Sequence, residues 1–380
     1  MTHTPTFKFS TSEFLWFLQL SRDGEFIGTR EKPPRKPTLP YLQSLMQTAG
    51  EAGFDALLTA TNYHSEHENY TAAVATLART AASDPALLIA VRPGMFHPAM
   101  YAKMLATLQN LFPGRVRLNI VTGSSPAENA MYGDFEAHAQ RYERTREFMT
   151  ILRQLWTAQP PQSYHSDLYA FEGAVLDPPP VQPIPLYFGG ASPAAQSIAA
   201  DLADVYLMWG EREEMLAERM TQMRALEAQT GRPLRYGLRM HVVVRETEAE
   251  AHAAAERLIS RVDPAVRAAF VASYAQVDGV GQQRQIEMLR GVDERLMVEP
   301  GLWAGIGMAR SGVGVALIGD PQQIADKIRR YEDMGFTSFI FSGYPHLEEA
   351  RRFGELVMPL LKGGQSETRV IHTDQVAPVA

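Results

Sequence analysis

The sequence predicts a (β/α)8 barrel. Eight short apolar runs each precede a helix-like segment, the runs are continuously apolar, and no linker divides the 380 residues. Parallel strands buried on both faces read as unbroken apolar runs rather than as alternation. Eight strand–helix units also exceed the roughly five or six strands of an open doubly wound sheet, and a barrel holds about 250 residues or more in one domain.

In chain order, LWFLQL (15–20) is the first strand, followed by a long polar loop and a helix over about 41–52. DALLTA (55–60) precedes a helix beginning near Tyr70. ALLIAV (86–91) leads to a helix near 98–111, and RVRLNIV (115–121) to one over about 137–156. PLYFG (185–189) is followed by a helix opening at Pro193, with Ser192 at the N-cap and proline in the first turn. VYLMW (205–209) precedes a helix from Glu211, and RYGLRMHVVV (235–244) one from about Thr247. SFIFSG (338–343) is the eighth strand, before a helix over 347–361. The Pro-rich DPPPVQPIP (177–185) runs straight into the fifth strand and reads as a connection between units.

Residues 1–362 are expected to form one domain. Within it, 264–320 form an insertion before the eighth strand, rich in Gly, Gln and charge over 276–314. A loop of that length in a compact domain is usually a lid or a binding loop. The tail 363–380 lacks periodicity and is expected to be flexible or an arm to another subunit.

Composition removes several function classes. The chain carries 36 Lys and Arg against 43 Asp and Glu, a net charge of −7, with no basic block to track phosphates. Nucleic acid and anionic membranes are therefore poor partners. With no cysteine, disulfides, thiolate metal sites and a Cys nucleophile are excluded. The apolar opening at 14–18 is far shorter than a membrane span or a signal-peptide core, so a cytoplasmic protein is expected.

Barrel active sites lie where strands meet their following loops. In RYGLRMHVVV, Arg239 and His241 are two apart and share one face of a continuous strand. A buried guanidinium needs an anionic partner, either a core carboxylate or an oxyanion ligand such as carboxylate, phosphate or sulfonate. YFGGASP (187–193) offers backbone amides at a helix N-terminus, a weak anion-site signal. HSEHE (64–68) is not a zinc motif and reads as a polar pocket wall, so no metal is expected. GVGVALIGDP (312–321) lacks P-loop spacing, and its Asp320-Pro321 reads as a helix cap.

Taken together, YFGGAS, VYLMWGE, GLRMHVVVRET, LWAGIGMARSGVG and SGYPHLEEARRFGELVMPLL resemble the flavin-dependent alkanesulfonate monooxygenases of the bacterial luciferase superfamily. The resemblance runs over about 14–361. It implies a luciferase-like barrel and a two-component system in which a separate NAD(P)H-dependent reductase supplies reduced FMN. This subunit would use it with O₂ to cleave a C–S bond, releasing sulfite and an aldehyde or related carbonyl product. A homodimer or homotetramer is also implied.

By the same resemblance, Arg239 would clamp the sulfonate, or protonate or stabilise the flavin peroxide, with His241 as a second donor or acid/base. Tyr344 matches a tyrosine at the active-site rim, and Arg310 an arginine on a mobile loop over bound flavin. Asn119, Thr122, His138 and Tyr142 match positions that hold the flavin ring and phosphate. Gly190, Ala191 and Ser192 would complete the phosphate cradle.

The chain departs from the family pattern at two pocket walls. TNYHSE puts Ser65 where the relatives have Cys, and LSRDG puts Ser21 and Arg22 where they have His and Gly. With Trp209, these residues are expected to line the substrate pocket and to favour a polar, hydroxylated sulfonate, for example sulfoquinovose. The competing expectations are a flavin- or deazaflavin-dependent hydride-transfer enzyme and a non-catalytic flavin-binding protein.

Overall fold

A computed structural model describes residues 12–157, 160–274, 279–289, 292–310 and 312–362. The chain opens with β1 (Glu13–Phe17), α1 (Leu39–Glu51), β2 (Ala56–Thr59), α2 (Asn69–Leu77), β3 (Ala86–Val91), α3 (Pro98–Leu111) and β4 (Val116–Ile120). Helices α4 (Pro126–Met131) and α5 (His138–Thr157) follow, then a hairpin of β5 (Gln162–His165) and β6 (Ala170–Ala174) that the sequence reading did not anticipate. Next come β7 (Leu186–Gly189), α6 (Pro193–Leu202), β8 (Val205–Trp209), α7 (Glu213–Thr230) and β9 (Arg235–Arg239). The remainder is β10 (His241–Val244), α8 (Glu248–Ile259), α9 (Pro264–Tyr274), α10 (Val280–Leu289), β11 (Met297–Glu299), β12 (Leu302–Trp303), β13 (Ala316–Gly319), α11 (Pro321–Met334), β14 (Phe336–Ile340), α12 (His346–Leu356) and α13 (Met358–Lys362).

Strands β1, β14, β9, β8, β7, β4, β3 and β2, in that order, close into a parallel barrel. This is the (β/α)8 fold expected from the eight apolar runs. Every residue of β3, for example, is buried, because one face packs into the barrel and the other under the helices.

The barrel interior is filled by Leu15, Phe17, Leu58, Leu88, Tyr187, Val205, Leu207 and Ile340. Polar residues close its N-terminal end. Glu13 accepts from Arg117 Nη1 at 2.7 Å and from the Tyr187 hydroxyl at 2.5 Å, with Arg235 at 3.5 Å. Ligand access is thereby left to the C-terminal end.

Three expectations need correction. The single strand expected over 235–244 breaks at Met240. The Met240 amide bonds Ile340, whereas the His241 amide bonds Val315, so β10 leaves the barrel and joins β13, β12 and β11 in a separate sheet. The insertion is not an open loop: its described residues build α9, α10 and most of that sheet, because its apolar positions, such as Val298, Leu302 and Leu317, are buried. Helix α7, expected from Glu211, starts at Glu213, and the Glu211 carboxylate lies in a buried ion cluster instead.

Asp320 does cap α11 in a reciprocal box with Gln323. No helix among the described residues is long and apolar enough to cross a membrane. The tail over 363–380 lies outside the described residues.

Candidate active site

Two cavities open at the C-terminal end of the barrel. The first, about 220 Å³, is walled by Asn119, Thr122, His138, Tyr142, Gly190, Ala191, Trp209 and Arg239. The second, about 290 Å³, is walled by Ser21, Arg22, Ser65, Arg310 and Tyr344 together with Phe17 and Asn62. The residues expected to hold cofactor, Ser192 apart, therefore gather in one cavity, and five of the expected substrate and rim groups in the other. Trp209 is the exception: it was expected on the substrate wall and lines the first cavity.

In the first cavity, β4 presents Asn119 at its end, and Thr122 Oγ1 lies 3.2 Å from Thr145 Oγ1. His138 and Tyr142, one turn apart on α5, meet edge to face at 5.0 Å. Gly190 has φ of 156°, and a Cβ there would lie 2.5 Å from that of Ala195, so only glycine lets the chain pass this close to α6. The Ser192 hydroxyl oxygen accepts from the Ala195 amide at 3.2 Å and caps α6. Its side chain does not line the cavity, which corrects its expected place in the cradle: the N-cap bond turns the hydroxyl toward the helix.

Three wall components were missed by sequence reading. Glu211 and Arg219 line this cavity, and so do residues 279–282 of the insertion. Glu211 is 1% exposed and bonds both Arg219 and Arg284. No motif signalled this, because Glu211 reads as an ordinary acidic first-turn residue.

Arg239 stands between the cavities. It lines the first, and its guanidinium lies 5.2 Å from the ring centre of Phe17, which lines the second. It is 7% exposed, donates to Ser342 Oγ at 2.8 Å and to the Met240 carbonyl at 2.5 Å, and meets no carboxylate among the described residues. Burial, reinforced by the charge of Arg310, pushes its pKa down to about 9.

Arg239 and His241 were expected to share a face of one strand. They flank the break at Met240 instead and meet through Ser342, whose hydroxyl lies 2.8 Å from His241 Nδ1. With Ser342 accepting from Arg239, its own proton is directed to Nδ1, leaving the imidazole proton on Nε2. Burial first, then the charges of Arg239 and Arg310, hold His241 well below the usual histidine range, so the ring is neutral.

The His241 ring stacks on Tyr344 at 5.7 Å, and Arg310 donates to the Tyr344 hydroxyl. His346, at the end of the eighth strand with Tyr344 but given no role by the sequence, packs 4.9 Å from Tyr344. It is 1% exposed, and neither ring nitrogen has a partner. Burial keeps it neutral too.

The second cavity is polar without being strongly cationic. Arg22 pairs with Glu66 at 2.8 Å, so the arginine that distinguishes this wall has its charge offset. In HSEHE, His67 bonds the Pro37 carbonyl and Glu68 caps α2. Among the described residues no cluster of His, Asp and Glu could hold a metal.

This donor set suits a flat, phosphate-bearing cofactor. Gly190 and Ala191 bring backbone to the α6 N-terminus beside His138 and Tyr142, and Trp209 offers an aromatic face.

Comparison with known folds agrees with this architecture. The structure of DmoA from Hyphomicrobium sulfonivorans superposes with a TM-score of 0.75 at 18% identity, covering 94% of this chain and 89% of that one. Riboflavin lyase RcaE, solved with modified FMN and riboflavin, gives 0.74 at 20% identity over 93% and 92%. An F420-dependent secondary alcohol dehydrogenase gives 0.66 at 17% identity over 92% and 99%. At these identities the likeness establishes the barrel fold. The family description "Luciferase-like monooxygenase" matches residues 13–338, nearly the whole barrel and most of the walls of both cavities, and the chain accordingly belongs to the luciferase-like monooxygenase family.

Proposed function

We propose that this protein is a two-component monooxygenase that desulfonates an organosulfonate. Reduced FMN, supplied in the cytoplasm by a separate NAD(P)H-dependent reductase, occupies the first cavity, and the sulfonate enters the second. The overall change balances as R–CH₂–SO₃⁻ + O₂ + FMNH₂ giving R–CHO + HSO₃⁻ + FMN + H₂O. One oxygen atom enters the aldehyde and the other leaves as water, while the C–S electron pair departs with sulfite. The bound flavin supplies the electrons for oxygen activation.

The observation that carries this reading is Arg239: a buried guanidinium, with no carboxylate partner among the described residues, between two cavities. An oxyanion offers it the bidentate partner that those residues do not. Arg310 and the Tyr344 hydroxyl face the same region and would hold the substrate from the rim. Neutral His241, oriented by Ser342, is suited to accept or return a proton near the reacting carbon. Ser21, Ser65, Asn62 and the Arg22–Glu66 pair give the second cavity hydrogen-bonding walls that favour a hydroxylated sulfonate such as a sulfo-sugar over a plain alkyl chain. The assembly we propose is a homodimer or homotetramer, with no nucleic-acid or membrane partner.

The decisive assay is sulfite release from a panel of sulfonates with reduced FMN generated by any compatible reductase. Release is expected only when reduced FMN and O₂ are both present, and faster from the hydroxylated substrates. Preference for the linear alkanesulfonates would overturn the substrate class. Substrate turnover in the absence of O₂, with hydride passed to or from a deazaflavin, would replace the monooxygenase reading by a dehydrogenase one.

A further inference from the structure

The loop TNYHSE (61–66) between β2 and α2 brings Asn62 and Ser65 to the wall of the second cavity, yet Tyr63 between them is 56% exposed. A loop this exposed takes its shape from polar contacts more than from core packing. Within it, Asn62 Oδ1 accepts from the His64 amide at 2.8 Å, and the Asn62 carbonyl accepts from the Ser65 amide at 3.1 Å. Two outside groups hold it. Arg22 pairs with Glu66 at 2.8 Å on one side, and on the other Glu128 Oε1, on α4, accepts from the Tyr63 amide at 3.1 Å. Tyr132, just past α4, adds an edge-to-face contact to the Tyr63 ring at 5.2 Å and a hydrogen bond with Thr61.

Helix α4 is itself anchored by one guanidinium. Arg92, in the turn after β3, is 7% exposed. It pairs through Nη2 with Glu128 Oε2 at 2.8 Å, donates through Nη1 to Asn129 Oδ1 at 2.6 Å, and lies 5.0 Å from the centre of the Tyr132 ring. The Glu128 carboxylate therefore divides its oxygens, one to the Arg92 cation and one to the Tyr63 amide. Asn129 serves the other cavity. Gly123 lines the first cavity at φ of 87°, and a Cβ there would fall 2.5 Å from Asn129 Oδ1 and 3.3 Å from Arg92 Nη1, so this turn rests directly on the Arg92–Asn129 pair.

We propose that Glu128 is a positioning residue of the second cavity: it carries the Arg92 anchor to the Tyr63 amide and so sets where Asn62 and Ser65 stand against a bound substrate. Neither Glu128 nor Arg92 lines that cavity, so the effect passes through the loop backbone. Because Asn129 braces Gly123 through a different nitrogen of Arg92, the substrate wall can be loosened while the cofactor wall stays in place. The occupant of the second cavity rests on the sulfonate reading above; the tie to Tyr63 does not.

Two substitutions test it in the full-length chain. Glu128→Asp keeps a countercharge for Arg92 but is one methylene too short to reach the Tyr63 amide as well, while Glu128→Ala removes both contacts. Hydrogen exchange is followed at the Tyr63 amide, FMN is titrated, and sulfite release gives kcat and KM separately. Both variants are expected to speed Tyr63 exchange by about tenfold and to raise KM for the sulfonate by about tenfold, the scale of one lost hydrogen bond. The change in kcat should be much smaller, and FMN affinity should hold. If stranding Arg92 unfolds Glu128→Ala, Glu128→Asp decides alone. Unchanged exchange would overturn the tie, and faster exchange with unchanged KM would overturn the positioning role. A loss of FMN affinity equal to the rise in KM would mean that the whole barrel end has loosened, which also overturns it. Sulfite release from no sulfonate by the unmodified chain would instead sink the sulfonate reading, and exchange at Tyr63 would still decide the tie.

Discussion

At Arg239 a guanidinium 7% exposed has Ser342, the Met240 carbonyl and the Phe17 ring around it. The desolvation cost of its charge is not offset by any carboxylate among the described residues, so a bound oxyanion should interact with it strongly. Arg239→Ala is expected to lower kcat/KM for a sulfonate by about a hundredfold or more while FMN binding survives, on the scale of a buried charge contact. Undiminished sulfite release would refute the assignment. The R-x-H spacing marked Arg239 and His241 as partners, and they are, but not for the reason the spacing suggested. Strand alternation was the expected cause, whereas the actual link is Ser342, about a hundred residues away in sequence.

Among the elements, α6 separates a capping role from a binding one. Its N-terminus follows the Gly189–Gly190 turn, and the sequence alone cannot say whether the Ser192 hydroxyl faces ligand or helix. Here it caps the helix. Ser192→Ala is expected to cost about 1 kcal/mol of stability, read by urea denaturation, with FMN affinity unchanged; a large loss of FMN binding would return Ser192 to the cradle. The insertion illustrates the opposite limit of legibility. Its Gly, Gln and charge content reads as loop, yet Gln282, Gln285 and Arg284 are spent on buried contacts to Gly312, Gly314 and Glu211. Local composition reports polarity, and only docking against the barrel reveals that those polar groups are inside.

For the whole molecule, closure of eight strands leaves two ends of different character. The N-terminal end is shut by Glu13, Arg117, Tyr187 and Arg235, contributed by four strands distant in sequence. Glu13→Ala would leave Arg117, 8% exposed, without its carboxylate and is expected to destabilise the fold by about 3–5 kcal/mol. Replacing Glu13 and Arg117 together by Leu and Met should recover much of that loss in the same denaturation assay; an equal loss in the double variant would mean that packing, not the stranded charge, dominates. The sequence by itself determined the barrel, the order of its strands and the end at which the candidate site lies. Those properties follow from local apolar runs, caps and glycine turns, which act over a few residues. Only the tertiary structure decided that the candidate site is two cavities rather than one, that Glu211 and Trp209 line the first, that Ser192 lines neither and that His346 packs behind Tyr344. Those outcomes depend on which strand ends barrel closure brings side by side and on where a polar insertion docks, and contacts between residues far apart in sequence leave no local pattern to read.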